Sequence, residues 1–175
     1  MPTHVAFLRG INITNRRVSK DRLVAAFEAV GFEDVSTFRA SGNVIFGAGS
    51  VKPEAAAIEE ALERGLGYPV PTYLRSARQV SAIAARTPFS EREVAASKGK
   101  LQVVFLKKRP TKSAGAKVLA MQTDHDRLAL EGSELFWLPK GGTQESELDL
   151  TAVDAALGPS THRTIGTVQL IAARL

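Results

Sequence analysis

The chain predicts an α+β protein of two ferredoxin-like halves, and three observations carry that prediction. Apolar runs and helical-period segments alternate in the order β-α-β-β-α-β through residue 76, nearly the same order repeats after residue 100, and a polar stretch separates the two series. In a ferredoxin-like unit, right-handed crossovers place the first and third strands side by side and antiparallel. The end of the first strand therefore meets the start of the third.

Residues 3–9 are a short apolar run that suits a buried strand. Residues 21–30 carry Leu23, Val24, Phe27 and Val30 at helical spacing, with Ser19 as N-cap and Gly31 beyond the end. Strands follow at 35–38 and 44–46, and Arg39-Ala40-Ser41-Gly42-Asn43 between them has the glycine and asparagine of a tight hairpin connection. A helix at 53–66, with Pro53 in its first turn and Gly67 past its end, leads to a strand at 70–74. Residues 77–86 read as a connecting helix, and Thr87-Pro88 with the polar stretch 90–100 as a linker with room for a helical turn.

The second series has a strand at 101–106, a helix at 111–121, strands at 127–130 and 135–138 joined through Glu131-Gly132-Ser133-Glu134, and a helix at 148–157. Lys107-Lys108 then stands where Arg9-Gly10 stood, and Gly132-Ser133 where Ser41-Gly42 stood, as a diverged duplication would leave them. Residues 161–175 read as a helix, with enough β-branched residues to leave a final strand open. The expected division is a first subdomain at 1–76, a connecting helix and linker at 77–100, and a second subdomain with a C-terminal helix at 101–175.

Composition narrows the function classes. A chain of 175 residues with 44% hydrophobic content can fill a core. The absence of cysteine excludes a disulfide framework, a thiol nucleophile and a thiolate metal site, and it fits a cytoplasmic location. Met1-Pro2-Thr3-His4 lacks a basic leader and Arg9 interrupts the first apolar run, so neither export nor a membrane partner is expected. A net charge of +5 keeps anionic partners open, whereas the scatter of the basic residues fits a solvated surface.

Searches for established chemistry find little. His4, His125 and His162 lack metal-ligand spacing, and there is no nucleophile elbow, Walker loop or dinucleotide fingerprint, so neither metal nor cofactor is expected. Asp124 and Asp126, and Glu145, Glu147 and Asp149, read as capping or solvating acids. Gly141-Gly142-Thr143 with Ser146 reads as a flexible loop or an anion-holding one.

The candidate ligand-binding residues are Arg9, Gly10 and Asn12 from the end of the first strand and Ser41, Gly42 and Asn43 from the start of the third, with Arg163 and Thr167 closing the site from the C-terminal segment. On one reading Arg9 supplies a guanidinium fork for phosphate or carboxylate, the glycines admit the ligand, and the polar side chains orient it. On the other, Arg9 pairs with a carboxylate and Asn12, Ser41 and Asn43 satisfy loop backbone. None of these residues is an evident general base, which favours binding over catalysis. Three functions follow: a protein binding a small anionic or nucleotide-type ligand, a nucleic-acid-binding module, or a protein-interaction or structural protein without a ligand. Stacking on nucleic acid needs exposed aromatics, whereas Phe7, Phe46, Tyr73, Phe105 and Trp137 sit in apolar runs. No oligomeric state is set by the sequence.

Leu8-Arg9-Gly10-Ile11-Asn12, Gly31-Phe32, Val35, Thr37, Ser41-Gly42-Asn43-Val44 and Phe46, with Thr161, Arg163 and Thr167-Val168 near the end, resemble the bacterial domain-of-unknown-function family 1697 over nearly the whole chain. The resemblance implies a pair of ferredoxin-like α+β subdomains in a cytoplasmic bacterial protein, and it implies no activity. The chain departs from the family pattern in several places. Ile13-Thr14-Asn15 replaces a Val-Gly-Gly type loop, Ala40 stands where glutamine is common, Arg163-Thr164-Ile165-Gly166-Thr167 replaces an aromatic-rich segment, and Gln169 replaces a lysine. The first departure weakens a glycine-rich phosphate-cradle reading.

Overall fold

A computed structural model describes the chain except for Pro2, Thr14, Arg16, Ser41 and Gly99. It falls into two compact units, residues 1–83 with 170–175, and residues 84–169.

In the first unit β1 (His4–Leu8) is buried along almost its whole length, which is why it reads as a continuous apolar run. The chain then forms α1 (Lys20–Glu28), β2 (Glu33–Thr37), β3 (Asn43–Gly47), α2 (Ala55–Leu66), β4 (Thr72–Ser76) and α3 (Ala77–Ala84). Ser19 caps α1, accepting from the Arg22 amide, and Gly67 closes α2 in the left-handed conformation. Pro53 lies before α2 and not in its first turn, because Glu54 is the N-cap residue. The sheet order is β2-β3-β1-β4 with every pair antiparallel, the ferredoxin-like arrangement. Ala6, Leu8, Val44 and Phe46 form one face and pack with Leu23 and Phe27 of α1 and Ile58 and Leu62 of α2. Phe27, Phe32 and Phe46 make the aromatic centre, with ring centroids 5.2 Å apart for Phe27–Phe46 and 4.4 Å for Phe32–Phe46. Burial of each such side chain contributes roughly 1.5–3 kcal/mol.

The second unit runs through α4 (Glu91–Ala96), β5 (Gln102–Leu106), α5 (Lys112–Leu119), β6 (Asp126–Glu131), β7 (Glu134–Pro139), α6 (Leu150–Leu157) and β8 (Ser160–Thr164), and α7 (Ile165–Ala172) follows. The helical turn in the linker is α4, held by a capping box between Ser90 and Glu93. Sheet order is β6-β7-β5-β8, again all antiparallel. Residues 161–175, read as a helix, begin instead as a strand. Ser160–Thr164 supplies three hydroxyl residues with two β-branched threonines among them and pairs with β5 as the fourth strand, completing the second βαββαβ series.

The two halves share backbone bonds at both ends of their first strands. Leu8 N–H donates to the Gly42 carbonyl (2.7 Å), and Leu106 N–H donates to the Ser133 carbonyl (3.0 Å). Ala77 N–H donates to the Thr3 carbonyl and Ile165 N–H to the Leu101 carbonyl, both at 2.8 Å. Lys107 and Ser133 thus occupy the positions of Arg9 and Gly42, as the sequence predicts.

A polar centre sits beside the apolar core of the second unit. Asp126, read from the sequence as a capping or solvated acid, is fully buried. Its Oδ1 accepts from the Trp137 indole N–H (2.7 Å) and the Ser146 hydroxyl (2.6 Å), and its Oδ2 accepts from the Glu147 amide (3.1 Å). One carboxylate therefore anchors β7 and the loop before α6 to the start of β6. Replacing it strands an indole, a hydroxyl and an amide, each costing on the order of 1–3 kcal/mol when buried without a partner. We expect Asp126→Ala to lower unfolding free energy by about 3 kcal/mol or more, and Asp126→Asn by less, in urea titrations of the two variants.

Candidate functional site

Phe7 of β1 lies opposite Asn43 of β3, so the segment leaving β1 and the turn entering β3 emerge side by side. The next residues diverge in role. Arg9 is half-buried and its amide donates to the Pro71 carbonyl (3.0 Å). Gly10 and Gly42 both take left-handed angles, φ 74 and φ 75. Ser41 lies outside the described residues.

The two asparagines hold the loops. Asn12 donates from Nδ2 to the Ala40 carbonyl (2.6 Å) and accepts at Oδ1 from the Val18 amide (2.9 Å), tying the segment after β1 to the β2–β3 turn. Asn43 is fully buried and donates from Nδ2 to the Phe38 carbonyl (3.0 Å), while its own carbonyl accepts from the Phe38 amide (2.9 Å). Between those two gripped carbonyls stands Arg39 at φ 57, a conformation that a bulky side chain rarely adopts. The pair of amide bonds fixes the backbone on both sides of that residue.

A cavity of about 350 Å³ opens at this junction. Asn12 and Val18 line it from the loop, Lys20 and Leu23 from α1, and Arg39, Gly42 and Asn43 from the turn. Among the described residues Lys20 and Arg39 are its only charged lining residues, and both side chains are exposed. Arg9, expected to supply the guanidinium fork, is not in the cavity wall. The described cations in that wall are Lys20, which ends the basic cluster of Arg16, Arg17 and Lys20 that the sequence shows after the first motif, and Arg39, neither of them among the predicted site residues. The signals were present: Arg39 opens the turn segment, and Lys20 follows the Ser19 cap at the positive end of the α1 dipole, where a cation is electrostatically unfavourable.

The family described as "Protein of unknown function (DUF1697)" matches residues 1–136, more than three quarters of the sequence. The chain belongs to this family. A conserved bacterial protein, SP0830 from Streptococcus pneumoniae, has a similar solved structure at 21% identity and a TM-score of 0.70, with 100% of this chain and 98% of that one covered. That likeness is one of fold. No curated protein matches the chain.

Every residue lining the cavity falls within the DUF1697 match, whereas Arg163 and Thr167 fall outside it. Both belong to the second unit. Arg163 lies on β8 opposite Val103, and its Nη1 donates to the His162 carbonyl (2.7 Å) and the Thr161 hydroxyl (2.9 Å). Burial lowers its pKa to about 10, so it stays cationic at neutral pH. Arg75 takes the same place in the first unit, on β4 opposite Val5, with Nη1 on the Leu74 carbonyl (2.8 Å). Thr167 donates its amide to the Thr164 hydroxyl at the start of α7 (3.3 Å), as Gln79 does to Ser76 at the start of α3 (3.3 Å). Both residues perform tasks that the fold repeats.

The remaining loop candidate is occupied by its own acid, since the Glu145 carboxylate packs against Gly141 and Ser146 is bound to Asp126. No group of three or more metal-ligating side chains, and no helix long and apolar enough to cross a membrane, occurs among the described residues.

The two site glycines differ in surroundings. A Cβ on Gly42 would lie 2.9 Å from the Ile11 side chain and 3.2 Å from the Leu8 Cβ, whereas one on Gly10 would meet nothing within 4 Å. Both alanine variants carry the left-handed penalty of about 1–2 kcal/mol, and Gly42→Ala adds a clash. In parallel thermal melts Gly42→Ala is expected to be the more destabilised of the two, by about 1–3 kcal/mol.

Proposed function

We propose that this DUF1697 protein binds a small anion of the phosphate-ester class in the cavity between the segment after β1 and the β2–β3 turn. The observation that carries the reading is that Lys20 and Arg39 are the charged residues in the cavity wall among the described residues, with Arg39 held in a left-handed conformation between two clamped carbonyls. Cations gathered without a carboxylate repel one another, and an anion removes that cost. The amides at the start of α1 and the positive end of its dipole add to the same field. Asn12 and Asn43 act as positioning residues, and Gly42 lets Ile11 and Leu8 close beneath the turn. The reading includes a cytoplasmic location, which the cysteine-free composition suits.

The nucleic-acid alternative has less support. Phe7, Phe46, Tyr73, Phe105 and Trp137 are all buried, so none offers a ring on which bases can stack. The ligand-free alternative accounts for Asn12 and Asn43 but leaves the paired cations over a cavity without a purpose.

A ligand that binds only the folded state raises apparent stability in proportion to the logarithm of its concentration over Kd. Inorganic phosphate and pyrophosphate are expected to raise the melting temperature saturably, with the effect falling as salt rises and disappearing in a Lys20→Ala/Arg39→Ala double variant. Persistence in that variant would move the anion elsewhere, and no shift in the parent protein would refute the reading. Arg39→Gly separates stability from binding. It relieves the left-handed strain and is expected to leave stability unchanged or raise it by about 1 kcal/mol, while abolishing the anion-dependent shift.

A further inference from the structure

A second cavity, of about 530 Å³, adjoins the first and shares Thr37 and Arg39 with it. Its other walls are Phe38, Leu170 and Arg174, all in the first unit. The Phe38 ring is 7% exposed, and it carries two guanidinium groups, Arg174 at 4.5 Å from the ring centroid and Arg39 at 5.5 Å. Leu170 beside them is 47% exposed, one of the few large apolar side chains left open to solvent. Among the described residues no carboxylate lines either cavity.

These features ask for a ligand with two chemically different ends. Phe38 serves as a pedestal: with its ring nearly covered, it holds the Arg174 guanidinium over its face instead of receiving a ligand itself. A guanidinium so held presents a planar, weakly hydrated face that stacks on heteroaromatic rings, and Leu170 offers apolar cover to the same ring. An aliphatic phosphate or a bare anion would leave both unused. Arg39 belongs to both cavities, so an anionic group seated between it and Lys20 stays tethered to a ring lying toward Arg174. Volumes of this size are in the range of small-ligand sites.

We propose that the ligand is a nucleoside monophosphate, with its phosphate between Lys20 and Arg39 and its base against Arg174 and Leu170. This assignment rests on the anion-binding reading and goes beyond it by requiring a flat ring. Binding should be measured by calorimetry with adenosine, guanosine, cytidine and uridine monophosphates, ribose 5-phosphate and a ten-nucleotide single-stranded RNA. The parent protein is expected to bind at least one nucleoside monophosphate roughly tenfold or more tighter than ribose 5-phosphate, as stacking of one base allows. Arg174→Lys keeps the charge and loses the plane, so it should bring that ratio below about threefold, and Leu170→Ser should lower it in the same direction. Both positions are exposed, and a melt of each variant checks that the fold is kept.

Equal affinity for ribose 5-phosphate and the nucleotides, still dependent on Lys20, would overturn the ring assignment and leave the anion reading standing. Failure of every anion, pyrophosphate included, would overturn both. RNA binding far tighter than any monophosphate, with steep salt dependence, would replace the mononucleotide by a nucleic-acid strand.

Discussion

Phe7 lies opposite Asn43, and that register between β1 and β3 sets where everything else in the first unit can go. Side chains alternate between sheet faces, so a slip of one residue would turn Ala6, Leu8, Val44 and Phe46 away from α1 and α2 and break the core that they build together. The same register buries Asn43 at the mouth of the turn. A buried amide needs a partner, and the Phe38 carbonyl supplies one. Packing of the strand and closure of the turn are thus one event, and the cavity beside the turn is its by-product.

Strain and charge then accumulate at one place. Arg39 in the left-handed region costs free energy, the Phe38 ring draws two guanidinium groups to it, and the clamps from Asn12 and Asn43 hold the turn against relaxation. The asparagines hold the backbone of the turn, whereas the Lys20 and Arg39 side chains face solvent.

The second half shows which features of the first recur and which do not. Backbone bonds at both ends of the first strand recur, the arginine on the last strand recurs, and the hydroxyl bond at the start of the following helix recurs. These belong to the fold. Chemistry at the loops does not recur: Lys107-Lys108 and Ser133 replace Arg9-Gly10 and Gly42, and the second unit is organised instead around the buried carboxylate of Asp126. Such a carboxylate satisfies three donors from two segments at once, which ties the β6–β7 hairpin to the loop before α6 without enlarging the apolar core.

The sequence by itself determined the order of strands and helices, the repetition of that order and the convergence of the Arg9–Asn12 and Ser41–Asn43 segments. Periodicity, caps and turn residues are local signals, and right-handed crossover leaves little choice of topology once the order is known. It stopped short at Ser160–Thr164, where a strand is made by pairing with β5 and not by its own pattern, and at Asp126, whose burial no neighbouring residue announces. Within the site it found the loops and left two duties open for their asparagines, ligand contact or loop support, and the bonds to the Ala40 and Phe38 carbonyls are those of loop support. Asn12 and Asn43 resemble ligand contacts in type, yet only the folded chain shows the carbonyls they reach, and Lys20, Arg39 and Arg174 are ordinary surface cations until a cavity and a phenyl ring bring them together. Local propensity writes elements and turns into the sequence, whereas the neighbours of a side chain are decided by long-range pairing that only the tertiary structure contains.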